Sequence, residues 1–590
     1  MQTPRYSLHQ YPIETLLGWI RSGQIAVPEI QRPFVWTAPK VRNFIDSLYH
    51  GYPVGYIITW PKSEVPLRAG QLSIREHILI DGQQRMMALR AALLGKEILT
   101  KKYKEQRIQI AFHPDREEFA VSTRAIQQDS GWISDISTVF NSNSGLFQLI
   151  EAYCERNVGV NRYEAAERIG RLYEIRNNSL GVVELSADLD VETVVEIFVR
   201  INGTGVSLSA ADFVMSKMAA SEQHNGHLLR QSVDYFCHLA TVPEAYDRLA
   251  AADSTFAATD YFRAMEWLKN WRDNIYVPAY TDMLRVVFAS KFKRGDLTNL
   301  VDLLSGDSVE DTFHQLEDGI RNYINRTHFK RFVRILRSAG FIDASMLTAR
   351  NAVNSAYILF LSLRAQNTDA SQIEKLVRQW FVMSVLTGRY SGEPQATLGE
   401  DVRGMNAENG PEAYLEGLKR SELSDAFWNE EFRQNLNASG FKNVYFNLFL
   451  ASQIKVNDKG FLSSESTVRD LFASQRDIHH IFPKNHLREI DIAKSKHNQL
   501  ANLVVTQEEI NRSIGDAPPA RYFSELQTGC RAGEPRYGGI DNLEDLHANF
   551  KAHCIPFSET DTEIFENYDE FLEERKKLMV TKIRDYYFSL

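Results

Sequence analysis

Apolar residues recur at three- and four-residue spacing over 12–20, 41–48, 86–94 and 191–201, a period that predicts amphipathic helices. Between them lie short apolar, β-branched and aromatic runs at 54–60, 77–80, 107–112 and 181–185, which predict strands. The first 220 residues therefore read as an α/β or α+β domain. From 221 to 451 the helical period dominates, at 261–271, 312–336, 352–364 and 373–386, and predicts a helical domain. The pattern changes again over 452–590. A polar stretch with two adjacent histidines leads to a short apolar segment at 500–505 and a turn at Pro518-Pro519. Thr560 and Glu563 have the spacing of a capping box, which predicts a tail helix running through Phe571, Leu572, Leu578 and Ile583. The fold class expected is an α+β multidomain chain divided at 1–220, 221–451 and 452–590.

Composition narrows the function classes. At about 150 residues per domain, 590 residues make three or four domains. With 44% hydrophobic and 24% charged residues the mixture is globular, which excludes a disordered or collagenous chain. The longest apolar run, at 356–363, is far shorter than the roughly 18 residues that span a bilayer. The first ten residues hold no apolar signal core, and four cysteines form neither a C-x-x-C pair nor a disulfide framework. A cytoplasmic location is the default expectation. A net charge of −9 excludes a general polycation, but phosphate contacts need only a local basic surface. Such a surface is concentrated at 321–337, where Arg321, Arg326, Lys330, Arg331, Arg334 and Arg337 stand without an acid. Arg326, Lys330, Arg331 and Arg334 are the candidate DNA contacts, with Lys291, Lys293 and Arg294 as a second cluster; a solvated helix face is the alternative.

The segment Asp477-Ile478-His479-His480-Ile481-Phe482-Pro483 is the richest in chemistry. On an extended backbone, adjacent histidines point to opposite faces. One ring can then bind a divalent metal while the other accepts a proton. Phosphodiester hydrolysis needs both: a base that works near neutral pH, and a metal to stabilise charge on phosphate and leaving oxygen. Downstream, Asn502 stands before Leu-Val-Val, and Asn511 follows nine positions later. An asparagine oxygen is a suitable neutral ligand for Mg²⁺.

A second segment, Ile80-Asp81-Gly82-Gln83-Gln84-Arg85, joins an apolar strand to the helix at 86–94. Asp81-Gly82 predicts a tight turn and a helix N-cap, with first-turn amides facing outward as an anion site. Arg85 adds charge for a phosphate, and Gln83 and Gln84 add neutral donors and acceptors. A Walker-type Gly-x-x-x-x-Gly-Lys motif is absent from the sequence.

The C-terminal constellation, with Ile-Phe-Pro after the histidines, resembles the HNH, or ββα-metal, nuclease motif. The resemblance implies that His480 is the general base, that His479 and Asn511 are metal ligands, and that Asn502 braces the loop holding the base. Asp477 is implied as an orienting or auxiliary ligand. His479 stands where the motif often has Asp or Glu, which admits Mn²⁺ or Ni²⁺ beside Mg²⁺. Asp81–Arg85, together with Ile30–Trp36, the Phe198–Leu208 segment and Gly388-Arg389-Tyr390-Ser391-Gly392, resembles the GmrSD family of modification-dependent (type IV) restriction proteins. That resemblance implies a ParB/sulfiredoxin-like N-terminal domain, a helical middle and a C-terminal HNH domain with a helical tail. It implies binding and hydrolysis of a nucleoside triphosphate at Asp81, Gly82, Gln83, Gln84 and Arg85, with Gln31, Arg32, Arg200 and Asn202 contributing. It also implies cleavage of double-stranded, modified phage DNA, and it leaves room for a homodimer. The other readings are a nucleotide-sensing DNA-binding regulator with weak nuclease activity, and an HNH-type toxin RNase.

Overall fold

The computed structural model describes residues 5–22, 25–26, 34, 36–61, 77–99, 105–141, 145–189, 193–194, 197, 210–221, 223–304, 308–473, 476–557 and 563–590. They form a mixed α+β structure, with a small sheet in the N-terminal part and a large helical remainder. Contacts group the chain into two compact units: Met1–Trp271 with Pro278–Thr281 and Leu300–His314, and Arg272–Val277 with Asp282–Asn299 and Gln315–Leu590. No helix among the described residues is long and apolar enough to cross a membrane.

The first unit is organised by a five-stranded mixed sheet in the order Tyr6–Pro12, Ser179–Leu185, Tyr56–Trp60, His77–Asp81, Ile25–Ala26. Tyr56–Trp60 runs parallel to Ser179–Leu185 and antiparallel to His77–Asp81, with a register shift between Ile58 and Thr59. Its apolar run is continuous because both faces are buried. Ile57 joins Leu79 and Val182 in a core with Leu16, Leu17, Val41, Ile45 and Leu89. Ile58 and Trp60 face the other way, against Ile80, Leu185, Leu189 and Val194. The helices Ile13–Ser22, Ala38–Tyr49 and Gln83–Ala92 lie where the periodicity predicts them. The expected 107–112 strand is observed as Ile110–His113, outside the main sheet in a hairpin with Glu118–Val121. Most of the helix expected at 191–201 lies outside the described residues.

Three expected helices have different bounds. The 261–271 period is a short helix, Asp260–Ala264, followed by a 3-10 turn. The 312–336 period is broken at Asn325, whose side chain accepts from the amides of Thr327 (2.9 Å) and His328 (3.1 Å) and starts a new helix, Arg326–Ser338. The tail helix runs Tyr568–Phe588 and is capped by Asn567, not Thr560, which lies outside the described residues. Leu578 is 42% exposed and stands off the buried face.

In the second unit the strand Arg476–His480 pairs antiparallel with Leu503–Gln507, placing His479 opposite Val504 and His480 opposite Leu503. The helix Glu508–Ile514 follows directly. Nearby, His553 is fully buried: its Nδ1 accepts from the Gln453 amide (3.2 Å), and its Nε2–H donates to the Lys459 carbonyl (2.9 Å). Burial pushes the imidazole down to about 3. Below the ordinary value of about 6.5 the unfolded chain takes up a proton that the folded chain refuses, so stability falls as pH falls through that window. The expected contribution is about 1.4 kcal/mol per pH unit at most. Thermal unfolding of wild type and His553→Gln between pH 7 and 5 checks this. The variant should lose stability less steeply, and equal slopes would remove His553 from the acid response.

Candidate active site

Alternation along Arg476–His480 puts Asp477 and His479 on one face and His480 on the other. The Asn511 side chain, one turn into Glu508–Ile514, meets the first face. His479 donates from Nδ1 to Asn511 Oδ1 at 2.6 Å, and Asn511 Nδ2 donates to Asp477 Oδ2 at 2.6 Å. Asp477 Oδ1 also accepts from the Ile478 amide at 2.8 Å. His479 is 2% exposed, stacked on Phe461 at 5.9 Å and met edge-on by Tyr522 at 6.2 Å. Its Nε2 has no hydrogen-bond partner among the described residues, so aromatic packing rather than a polar acceptor sets the far side of the ring. Burial pushes this imidazole down to about 4, which keeps it neutral at physiological pH, as a metal ligand must be.

Among the described residues no three His, Cys, Asp or Glu side chains cluster as a metal site. A metal here would rely on two such residues, Asp477 and His479, plus the amide oxygen of Asn511. The carboxylate and the imidazole both turn onto the same amide, and a metal there would take the place of the His479–Asn511 bond, bound by Nδ1 with the ring proton on Nε2. A carboxylate oxygen, an imidazole nitrogen and an amide oxygen together suit Mg²⁺ or Mn²⁺.

On the opposite face, His480 is half-buried, and its Nε2–H donates to Asn498 Oδ1 at 3.0 Å, which leaves Nδ1 as the basic nitrogen. Burial lowers its pKa, with Lys484 and His497 adding to the effect. Asn498 was absent from the sequence reading. Asn502 is fully buried and sits beneath the residues that follow the histidines. Its Oδ1 accepts from the Phe482 amide (2.8 Å), and its Nδ2 donates to the carbonyls of Phe482 (3.1 Å) and His497 (3.0 Å). The Asn502 carbonyl accepts from the Ile481 amide at 2.9 Å. It holds the backbone that follows the histidines and makes no bond to either ring.

In the first unit the Asp81–Arg85 turn differs from its expected form. The N-cap of Gln83–Ala92 is Gly82, at φ 92°, and no side chain caps the helix; Asp81 ends the strand instead. Only glycine suits this position, because a Cβ would also meet the Ile57 backbone at 3.2 Å. Gln83 and Gln84 are buried, at 6% and 8% exposure, and do not stand out as surface donors. Arg85 donates to the Tyr56 carbonyl at 2.8 Å and lies 3.6 Å from the Asp81 carboxylate. Gln31, Arg32, Arg200 and Asn202 lie outside the described residues.

The helix Arg326–Ser338 buries Phe329, Phe332, Val333, Ile335 and Leu336 and leaves Arg326 and Arg334 exposed. Lys330 and Arg331 are half-buried. Burial, with Arg326 and Arg334 close by, holds the Lys330 ammonium below its usual range. Arg321 pairs with Glu317 and Arg337 with Asp273. In the second cluster Lys291 pairs with Asp318, while Lys293 and Arg294 line a cleft of 890 Å³ with Arg285 and Arg403. Arg389, from the Gly-Arg-Tyr-Ser-Gly motif, is turned inward onto the buried Asp401, which also accepts from Tyr390 (2.6 Å) and Tyr414 (2.9 Å).

The N-terminal part of the chain, residues 13–219, matches the GmrSD restriction endonuclease N-terminal domain. The match likens this part of the chain, about a third of its length, to that domain. Across nearly its whole length the chain is also similar to an uncharacterized protein of Methanocaldococcus jannaschii: 22% identity over 612 aligned positions, covering 95% of this chain and 96% of that protein.

Proposed function

We propose that the chain is a metal-dependent DNA endonuclease of restriction or phage defence. In this reading an HNH-type site at Asp477, His479, His480 and Asn511 cuts modified double-stranded DNA. A nucleoside triphosphate, bound and hydrolysed at the Asp81–Arg85 turn, regulates the cut. The observation that carries it is the division of labour on one strand: His479 faces the Asp477–Asn511 pair, while His480 faces away with a basic nitrogen unengaged by its asparagine.

Asp477, His479 and Asn511 would hold Mg²⁺ or Mn²⁺, with Ni²⁺ also admissible by the imidazole donor; the metal supplies charge stabilisation at the scissile phosphate and leaving oxygen. His480 takes a proton from water at Nδ1. Its lowered pKa keeps the ring neutral, and so competent as a base, at pH 7. The Asn498 bond to Nε2–H selects the tautomer and prevents ring rotation. Asn502 holds the Ile481–Phe482 backbone, so the base keeps its place as substrate arrives.

The test is cleavage of modified DNA, unmodified DNA and RNA with Mg²⁺, Mn²⁺ or Ni²⁺, with and without each nucleoside triphosphate. Metal-dependent cutting of DNA supports the reading. Cutting of RNA alone would replace it with a toxin-type RNase, and metal-independent DNA binding without cutting would replace it with a regulator.

Arg326, Lys330, Arg331 and Arg334 are proposed to track the DNA backbone. Replacing the two exposed arginines, Arg326 and Arg334, with alanine should weaken binding to all sequences alike. It should also reduce the log–log salt slope by about 2, roughly 0.9 per lost phosphate contact. An unchanged slope in salt-dependent binding would make this an ordinary solvated helix.

A further inference from the structure

Arg575 stands in the middle of Tyr568–Phe588 and is fully buried. Its guanidinium makes five bonds, all to backbone carbonyls. Nη1 donates to Ala501 (2.7 Å) and Leu503 (3.1 Å), Nη2 to Leu503 (3.1 Å) and His553 (3.1 Å), and Nε to His553 (3.1 Å). No carboxylate is among these partners. A buried cation ordinarily brings an anion with it, because desolvation of an unpaired charge is costly. Burial pushes Arg575 down to about 10, which leaves it charged at neutral pH. Carbonyl dipoles compensate it, with the Phe449 ring 5.8 Å away adding a cation–π contact, so the planar five-donor fork is matched to this one backbone arrangement.

Two of the three gripped carbonyls, Ala501 and Leu503, flank Asn502. Leu503 is the register partner of His480, and Asn502 carries the bonds to Ile481 and Phe482 described above. The same helix covers Phe482 with Tyr568 and Phe571, ring centroids 5.1 and 5.0 Å away. Tyr568 also donates to the Lys496 carbonyl at 2.8 Å.

We propose that Arg575 is a positioning residue of the nuclease site: it fixes the Ala501–Leu503 turn and, through Asn502 and the hairpin register, the placement of His480. The proposal rests on the nuclease reading above for its link to turnover, and on geometry alone for its link to His480. In sequence Arg575 looks like one more cation in an exposed Glu-Glu-Arg-Lys-Lys run. In the structure it ties the C-terminal helix to the catalytic hairpin.

The test uses the full chain with Arg575→Lys and Arg575→Met, below the unfolding temperature of each. Two quantities are read: steady-state cleavage of duplex DNA with Mn²⁺, and the His480 ring signals of histidine-labelled protein by NMR. A displaced base should lower kcat by about 100-fold in Arg575→Met. KM should stay within about twofold, since the DNA-contacting surface is untouched. Arg575→Lys should recover part of kcat, and the His480 signals should move in both variants. Lys577→Ala, exposed on the same helix, should change neither. A folded Arg575→Met with wild-type kcat and unmoved His480 signals would overturn the proposal. If Arg575→Met does not fold, Arg575→Lys decides by the same two readings. A wild-type protein that cuts no nucleic acid removes the nuclease reading instead, and the His480 signals alone then decide the positioning role.

Discussion

His480→Ala is expected to lower single-turnover DNA cleavage by about 10²- to 10⁴-fold, the usual range for removing a general base. The geometry makes this a clean substitution. His480 is only half-buried, and its side chain's hydrogen bond among the described residues is to Asn498, so alanine leaves no large cavity and strands no buried donor. DNA affinity and thermal stability should therefore stay close to wild type while the chemical step slows. His479 is the poor probe of the pair, although the two look interchangeable in sequence. It lies fully inside the aromatic packing of Phe461 and Tyr522 and bonds to Asn511. Its removal would mix a packing defect with any loss of metal binding. Cleavage by His480→Ala at the wild-type rate, in the same metal and salt, would falsify the assignment of the base and with it the HNH reading of the hairpin.

The histidine pair is legible in sequence because its signal is local. Alternation alone separates His479 from His480; the short apolar segment at 500–505 carries no element of its own in the sequence, and its pairing as Leu503–Gln507 is seen only in the structure. Asn498 and Arg575 carry no such signal. Asn498 stands in a polar turn where nothing in spacing marks it, and only the antiparallel pairing brings it to His480. Arg575 sits among Glu573, Glu574, Lys576 and Lys577, a composition that reads as solvated helix. The same limit explains the helix ends. Asn325 caps a new helix inside a continuous apolar period, since Phe329 and Phe332 keep the spacing while the backbone turns. At the Asp81–Arg85 turn, local chemistry favours Asp81 as the cap. The sheet overrides it, because pairing with Ile58 keeps Asp81 in the strand and passes the cap to Gly82. The two glutamines are drawn inside by the packing of their helix on the core, an effect of tertiary structure that residue type argues against.

Arg85→Ala is expected to weaken nucleoside triphosphate binding by about 10- to 100-fold, equivalent to a charge-assisted contact of roughly 1.5–3 kcal/mol. The guanidinium stands at the first turn of Gln83–Ala92, the positive end of the helix. It is held there by the Tyr56 carbonyl and lies beside Asp81. Gly55 leaves room for it: a Cβ at that position would come within 2.9 Å of Nη2. An incoming phosphate would compete with Asp81 for the same charge, so binding exchanges one partner for another and needs no new side chain. Because Arg85 also anchors the Tyr56 end of a core strand, the variant's thermal unfolding should be measured beside its nucleotide affinity. Metal binding at Asp477, His479 and Asn511 should persist, since those residues belong to the other compact unit. Nucleotide should then lose its effect on DNA cleavage, or require a correspondingly higher concentration. Coupling free energy is reciprocal for binding, so modified DNA must shift nucleotide affinity in the wild type by the same factor that nucleotide shifts DNA affinity. The decisive measurement is nucleotide affinity with and without DNA, in wild type and Arg85→Ala. Equal affinity in the two folded proteins, or no binding by either, would end the regulatory half of the proposal and leave the nuclease half to stand on His480.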